Sequence, residues 1–147
     1  MKKHKNKGFK LEVVLKKTQL DIDQFMGSKA TLAAEITRLE KIKDRHVNEL
    51  MASQVEQVGM LKGRVDTSLY LATSEYIVRK GEVINKANAE IDKRHNEVTN
   101  IDENMLKLIK MKKGLSDSKD IFYKQLKFQK NGRDEKRMDE LFLTTRN

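Results

Sequence analysis

The chain has no cysteine, no proline and no tryptophan, and only 5% of its 147 residues are aromatic. Without cysteine there are no disulfides, no thiolate metal ligands and no cysteine nucleophile, which suits a reducing compartment and makes the cytoplasm the expected location. Without proline nothing obliges a helix to stop, since each interior proline would remove a helical hydrogen bond and cost about 3 kcal/mol. No apolar run approaches the roughly 18 residues needed to span a bilayer. The basic start, Met1 to Gly8, is not followed by the apolar stretch of a secretory signal. The expected protein is soluble, or at most peripheral to a membrane.

Catalytic chemistry is equally sparse. There is no glycine-rich phosphate loop, and His4, His46 and His95 do not make a metal-ligand spacing. Asp21-Ile22-Asp23 lacks the further ligands and the glycine of a calcium loop and reads as a solvated pair. His46 falls at a heptad d position and reads as a seam or exposed histidine rather than a titrating switch. These features predict a chain that is not an enzyme and holds no metal or cofactor.

What the chain does have is charge, 36% of residues against 37% hydrophobic, and a 3,4 apolar rhythm. That balance serves one narrow seam better than a globular core. In the second half, Tyr70, Ile77, Ile84, Ile91, Val98, Met105 and Leu126 form one heptad row, and Ala87, Ile101, Leu108, Leu115 and Phe122 form the other. Together they place an apolar stripe along roughly 85 Å of helix at about 1.5 Å per residue. A weaker seam precedes it, with Leu15, Ile22, Ile36 and Leu50 in one row and Leu11, Phe25, Leu32 and Leu39 in the other, interrupted by Thr18, Lys29, Lys43 and His46. Past Leu50 the apolar set moves to Met51, Val55, Val58, Leu61 and Val65, as a phase slip that bends this arm would produce.

Between the arms, Gly59 and Gly63 can end a helix, and Asp66, Thr67 or Ser68 can cap the next one. The expected fold is therefore all-α: a long antiparallel two-helix coiled-coil hairpin with an overhanging C-terminal helix, a single elongated domain over 1–147. Helix 1 is placed at about 9–60, the turn at about 61–68 and helix 2 at about 69–143. Asn131-Gly132 can stop the second helix. Folding at about residue 64 is expected to carry roughly the last 25 residues past the end of the first helix, where Met138, Leu141 and Phe142 keep helical spacing. A hairpin of this kind predicts a monomer, whereas a dimer of two straight helices is the competing arrangement.

Charge is uneven along the chain. Residues 1–17 hold seven lysines and one glutamate, and residues 105–137 hold eleven Lys/Arg against four Asp/Glu. A hairpin brings both stretches to one end, giving a basic tip oriented toward an acidic partner surface. Lys80, Arg94, Lys112 and Lys119 fall in the seam itself. Their stems can lie along it while the charged ends reach water, in preference to contacting an inserted partner. The pI of about 9.6 raises nucleic-acid binding, but there is no zinc finger, recognition-helix motif or aromatic stacking platform, and no nucleic-acid partner is expected.

The two ends of the chain carry a resemblance. Gly8-Phe9-Lys10-Leu11-Glu12-Val13-Val14-Leu15-Lys16-Lys17 resembles the Phe-x-Leu-x-x-Val-Leu opening of the flagellar export protein FliJ family. Arg133-Asp134-Glu135-Lys136-Arg137-Met138-Asp139-Glu140-Leu141 resembles that family's closing Glu-x-Lys-x-apolar-Asp-Glu pattern. Members of the family and the related type III secretion stalks are antiparallel coiled coils similar to the central stalk of rotary ATPases. The resemblance implies a non-enzymatic stalk and coupling protein of the bacterial flagellum or another type III protein transport system. Its termini-bearing tip would insert into the hexameric export ATPase, and it would link that ATPase to the export gate membrane protein and to export chaperones. It would lie in the cytoplasm, peripheral at the inner-membrane export apparatus, with no direct membrane insertion.

By the same resemblance, Arg133, Glu135, Lys136, Met138, Asp139 and Glu140 would make the ATPase contact, and Phe9, Leu11, Val14 and Leu15 would pack the tip. Ile42 and His46 on the first arm, beside Arg45 and Glu49, and Tyr76 and Val83 on the second are the export-gate candidates, Tyr76 reading equally as a flank of the seam. The alternatives are a generic coiled-coil scaffold or chaperone, and an injectisome stalk of the same family.

Overall fold

The computed structural model describes residues 8–145, and among them every regular element is helical. Two helices account for most of the described residues: α1, Glu12–Met60, and α2, Thr67–Thr145. The start of α1 is a tight turn in which the Glu12 amide donates to the Phe9 carbonyl at 3.1 Å. Its end closes without a left-handed glycine. The amides of Leu61 and Lys62 donate to the carbonyls of Val58 and Gly59, three residues back, and no described glycine has positive φ. Asp66 caps α2, its Oδ1 accepting the amides of Ser68 and Leu69 at 3.1 and 3.2 Å, so that a side chain satisfies donors the helix leaves open.

The expected stop at Asn131-Gly132 does not occur, for α2 runs through it to Thr145. A single glycine in a helical backbone keeps its hydrogen bonds and costs only about 1 kcal/mol relative to alanine. The flanking Lys130, Arg133, Glu135 and Lys136 are good helix formers and offset that cost.

Contacts divide the chain into two compact units, Met1–Phe25 with Asn104–Asn147, and Met26–Glu103. In each, a part of α1 packs against a part of α2. In the second unit Ile36 and Ile91 are buried at 8 and 7% exposure. Around them the cross-helix pairs are Lys29 with Asp102, Glu35 with Arg94, Glu49 with Lys80 and Gln57 with Ser74. Residue numbers climb along α1 as they fall along α2, and Glu35 and Glu49 are two heptads apart, as are Arg94 and Lys80.

The phase slip expected past Leu50 is absent. The half-buried positions continue in heptad step through Ser53, Gln57 and Met60. Met51, Val55, Val58, Leu61 and Val65 are instead exposed, at 57, 72, 58, 58 and 46%. The polar seam residues are tolerated because Gln57 Nε2 donates to Ser74 Oγ across the helix pair.

In the unit of Met1–Phe25 with Asn104–Asn147, Ile22 is buried at 5% and Thr18 at 3%. The Thr18 hydroxyl donates to its own helix, to the Val14 carbonyl at 2.8 Å. Phe9 lies against Phe122 with ring centroids 5.8 Å apart and planes at 51°. Glu12 accepts from Lys119 Nζ at 2.9 and 3.1 Å.

Candidate functional site

Two groups of residues singled out by the sequence lie in different units. In the first unit, Arg133, Glu135, Lys136, Met138, Asp139 and Glu140 all sit on α2 and all are exposed, Met138 at 69%. The 3.6-residue period distributes them around the helix. Arg133 lines one hollow with Phe122, Leu126, Gln129, Lys130, Asp134 and Arg137. Glu135, Met138 and Asp139 line a second with Asn131 and Asp134. The first joins apolar seam residues Phe122 and Leu126 to three cations, an arrangement that receives a surface both apolar and acidic. Every described residue from Lys127 to Thr144 is exposed, Phe128 at 79%. Of the tip residues, Phe9 and Leu15 are half-buried, whereas Leu11 and Val14 are 43 and 41% exposed.

In the second unit, Ile42 and His46 are half-buried on α1, and Tyr76 and Val83 are 37 and 40% exposed on α2. Two residues in this neighbourhood, Lys80 and His46, converge on Glu49, and Tyr76 lies beside Lys80. Lys80 Nζ donates to Glu49 Oε2 at 2.5 Å, His46 Nδ1 stands 3.7 Å from the same oxygen, and the Lys80 ammonium lies 5.3 Å from the centre of the Tyr76 ring. The hydrogen bond from Lys80 holds the Glu49 carboxyl below its usual pKa, against the opposing effect of desolvation. The bond to Glu49, and after it that to Tyr76, raises the Lys80 ammonium. This is a structural ion pair with a cation resting near an aromatic ring.

The seam cations have acidic partners that the sequence reading did not assign. Lys80 pairs with Glu49. Arg94 pairs with Glu35 at 3.2 Å and with Glu97 at 3.4 Å, and Lys119 pairs with Glu12. Lys112 is exposed. The signal was present, because Glu35 and Glu49 each precede a seam residue, Ile36 and Leu50, at the g position where coiled-coil charges pair. Asp23 accepts from Gln19 at 2.9 Å on the helix surface. No group of three potential metal ligands forms among the described residues, and none of their helices is long and apolar enough to cross a membrane. The chain matches no protein-family model, no curated protein and no solved structure.

Proposed function

We propose that this chain is a non-enzymatic central stalk and coupling protein of a flagellar or related type III protein export apparatus. In this reading it is an antiparallel two-helix coiled-coil hairpin whose C-terminal helix overhangs. The descending order of the cross-helix pairs supports the antiparallel sense. The observation that carries the reading is the exposed run from Lys127 to Thr144, which coincides with the family-like motif and combines apolar Phe128 and Met138 with Lys130, Arg133 and Arg137. A helix so polar and yet so apolar in places gains by docking, since isolated helices of this length are marginal in water.

Carried over by resemblance, the end bearing both termini enters the hexameric export ATPase as a monomer, with Arg133, Glu135, Lys136, Met138, Asp139 and Glu140 at the contact. The export gate meets Ile42, His46, Tyr76 and Val83, free export chaperones bind in turn, and the protein works in the cytoplasm at the inner-membrane apparatus. A direct test mixes the chain with its cognate hexameric ATPase and follows hexamer assembly by light scattering. Assembly should be promoted by the full chain and not by one lacking residues 126–147, and indifference to both sinks the proposal. A generic coiled-coil scaffold is the second reading, favoured by the exposed Met51, Val55 and Val58. It predicts tight dimers even at low micromolar concentration.

A further inference from the structure

Cations inside the seam of α2 follow one pattern. Lys80 and Arg94, in the row of Ala87 and Phe122, meet Glu49 and Glu35, each standing just before a seam residue of α1, Leu50 and Ile36. Lys119, in the row of Tyr70 and Leu126, meets Glu12, which stands just after one, Leu11. The exception, Lys112, is exposed. A cation held along the seam is answered by a carboxylate from the flank of the helix it faces, the device by which coiled coils choose partners.

Past Leu126 the two rows continue through Gln129, Arg133 and Lys136, all exposed. Arg133 repeats the heptad place of Lys119, and Lys136 that of Arg94. Among the described residues neither forms an ion pair. The descending order of the cross-helix pairs puts the residues that would face them before Glu12, and of residues 1–11 none is acidic and five are lysines. These residues do not supply the carboxylates. Beside the two cations a hollow joins Phe122 and Leu126 to Lys130, Arg133 and Arg137, with Asp134 its one acid.

The offsets seen at Lys80, Arg94 and Lys119 specify what fits here. Carried on to Lys136 and Arg133, they place the first carboxylate five residues before the second, with a seam residue just inside each. α1 contains that spacing in Glu35-Ile36-Thr37-Arg38-Leu39-Glu40. We propose that the face of α2 formed by Leu126, Gln129, Arg133 and Lys136 docks an acidic amphipathic helix of another protein, with two carboxylates five residues apart and an apolar residue just inside each. The apolar pair rests on Leu126 and on the methylene stems of Arg133 and Lys136, while Lys130 and Arg137 add positive charge on the flank. The proposal rests on the reading of this run as a docking segment and on the antiparallel pairing put forward above, and it names the partner's chemistry. With one apolar seam residue and two exposed ion pairs, docking is weak, selected by charge and screened by salt.

Fluorescence anisotropy of a labelled peptide, three repeats of Glu-Leu-Ala-Ala-Leu-Glu-Gln, titrated with the full chain at about 50 mM salt tests it. The glutamates flanking its seam repel one another, which keeps the peptide from pairing with itself. Binding should saturate at one peptide per chain and weaken about tenfold or more when Arg133→Glu and Lys136→Glu are combined. Lys110→Glu with Lys113→Glu makes the same charge change at exposed positions off the seam and should leave most of the binding. All four residues are exposed, so helicity by circular dichroism should not change. Polyglutamate of equal charge, which has no apolar seam, should bind about tenfold more weakly than the peptide. No binding of the peptide, whether or not a short DNA duplex binds instead, overturns the proposal. So does an equal loss in the two double variants, or polyglutamate that binds as well as the peptide. The peptide is read without the export ATPase, so its failure leaves the contact with that enzyme standing, and an indifferent ATPase leaves the peptide result standing.

Discussion

Truncating Ile91 and truncating Val58 should have very different consequences, although both are apolar residues at helical spacing. Ile91 is 7% exposed, and Ile91→Ala removes three carbons from the seam, worth about 0.8 kcal/mol each in transfer. Alanine's better helix propensity returns about 0.4 kcal/mol, and in a two-helix seam open to water on its flanks little cavity remains to add to the loss. The net cost is about 2 kcal/mol. Val58 is 58% exposed, so less than half of a smaller transfer term is at stake. The propensity gain offsets it, and Val58→Ala should stay within about 0.5 kcal/mol of wild type. Urea denaturation followed by far-UV circular dichroism separates the two. Ile91→Ala should lower the midpoint by about 1 M and Val58→Ala hardly at all. A Val58→Ala loss equal to that of Ile91→Ala would mean that the seam slips after Leu50 and that the continuous heptad described above is wrong.

Asp66→Ala removes the side-chain acceptor for the Ser68 and Leu69 amides and should cost about 1 kcal/mol, with Asp66→Asn recovering most of it in the same urea titration. The Glu49–Lys80 pair sets a pH window. Because the Glu49 carboxyl is lowered from 4.5, its contribution is present above that value and is lost as pH falls through the lower folded value. Because the Lys80 ammonium is raised from 10.5, its contribution is present below that value and is lost as pH climbs through the raised one. The thermal midpoints of wild type and Glu49→Gln should therefore converge in acid below pH 4.5, and a gap that widens there contradicts the pairing. Phe9→Ala deletes the half-buried ring against Phe122 and should cost about 1 kcal/mol, with amide exchange quickening around Phe122 and unchanged around Ile91.

The rows Leu15, Ile22, Ile36 and Tyr70 to Met105 were legible because each residue satisfies two demands at once, helical spacing and apolarity. Beyond Leu50 the two demands part. Met51, Val55 and Val58 carry the apolarity, while Ser53, Gln57 and Met60 hold the positions that the packing fixes. Register already set by Ile36 against its neighbours and by Glu49 on Lys80 is not surrendered for three valine-sized side chains, and Gln57 on Ser74 removes the cost of a polar seam. Asn131-Gly132 misled for a related reason, as the helix formers on either side, Lys130 and Arg133, outweigh two weak residues. The acidic partners of Lys80, Arg94 and Lys119 could not be assigned from α2 alone, because an ion pair across helices depends on register. The candidate site was legible as motif and charge, since solvent-facing residues leave no periodic packing signature.

The most direct test of the stalk reading is the ATP turnover of the cognate hexameric export ATPase as this chain is titrated into it, beside a variant with Arg133→Glu and Lys136→Glu. The account predicts saturable stimulation near one chain per hexamer, lost in the variant while its helicity is kept. Turnover that responds to neither protein, or equally to both, would contradict it.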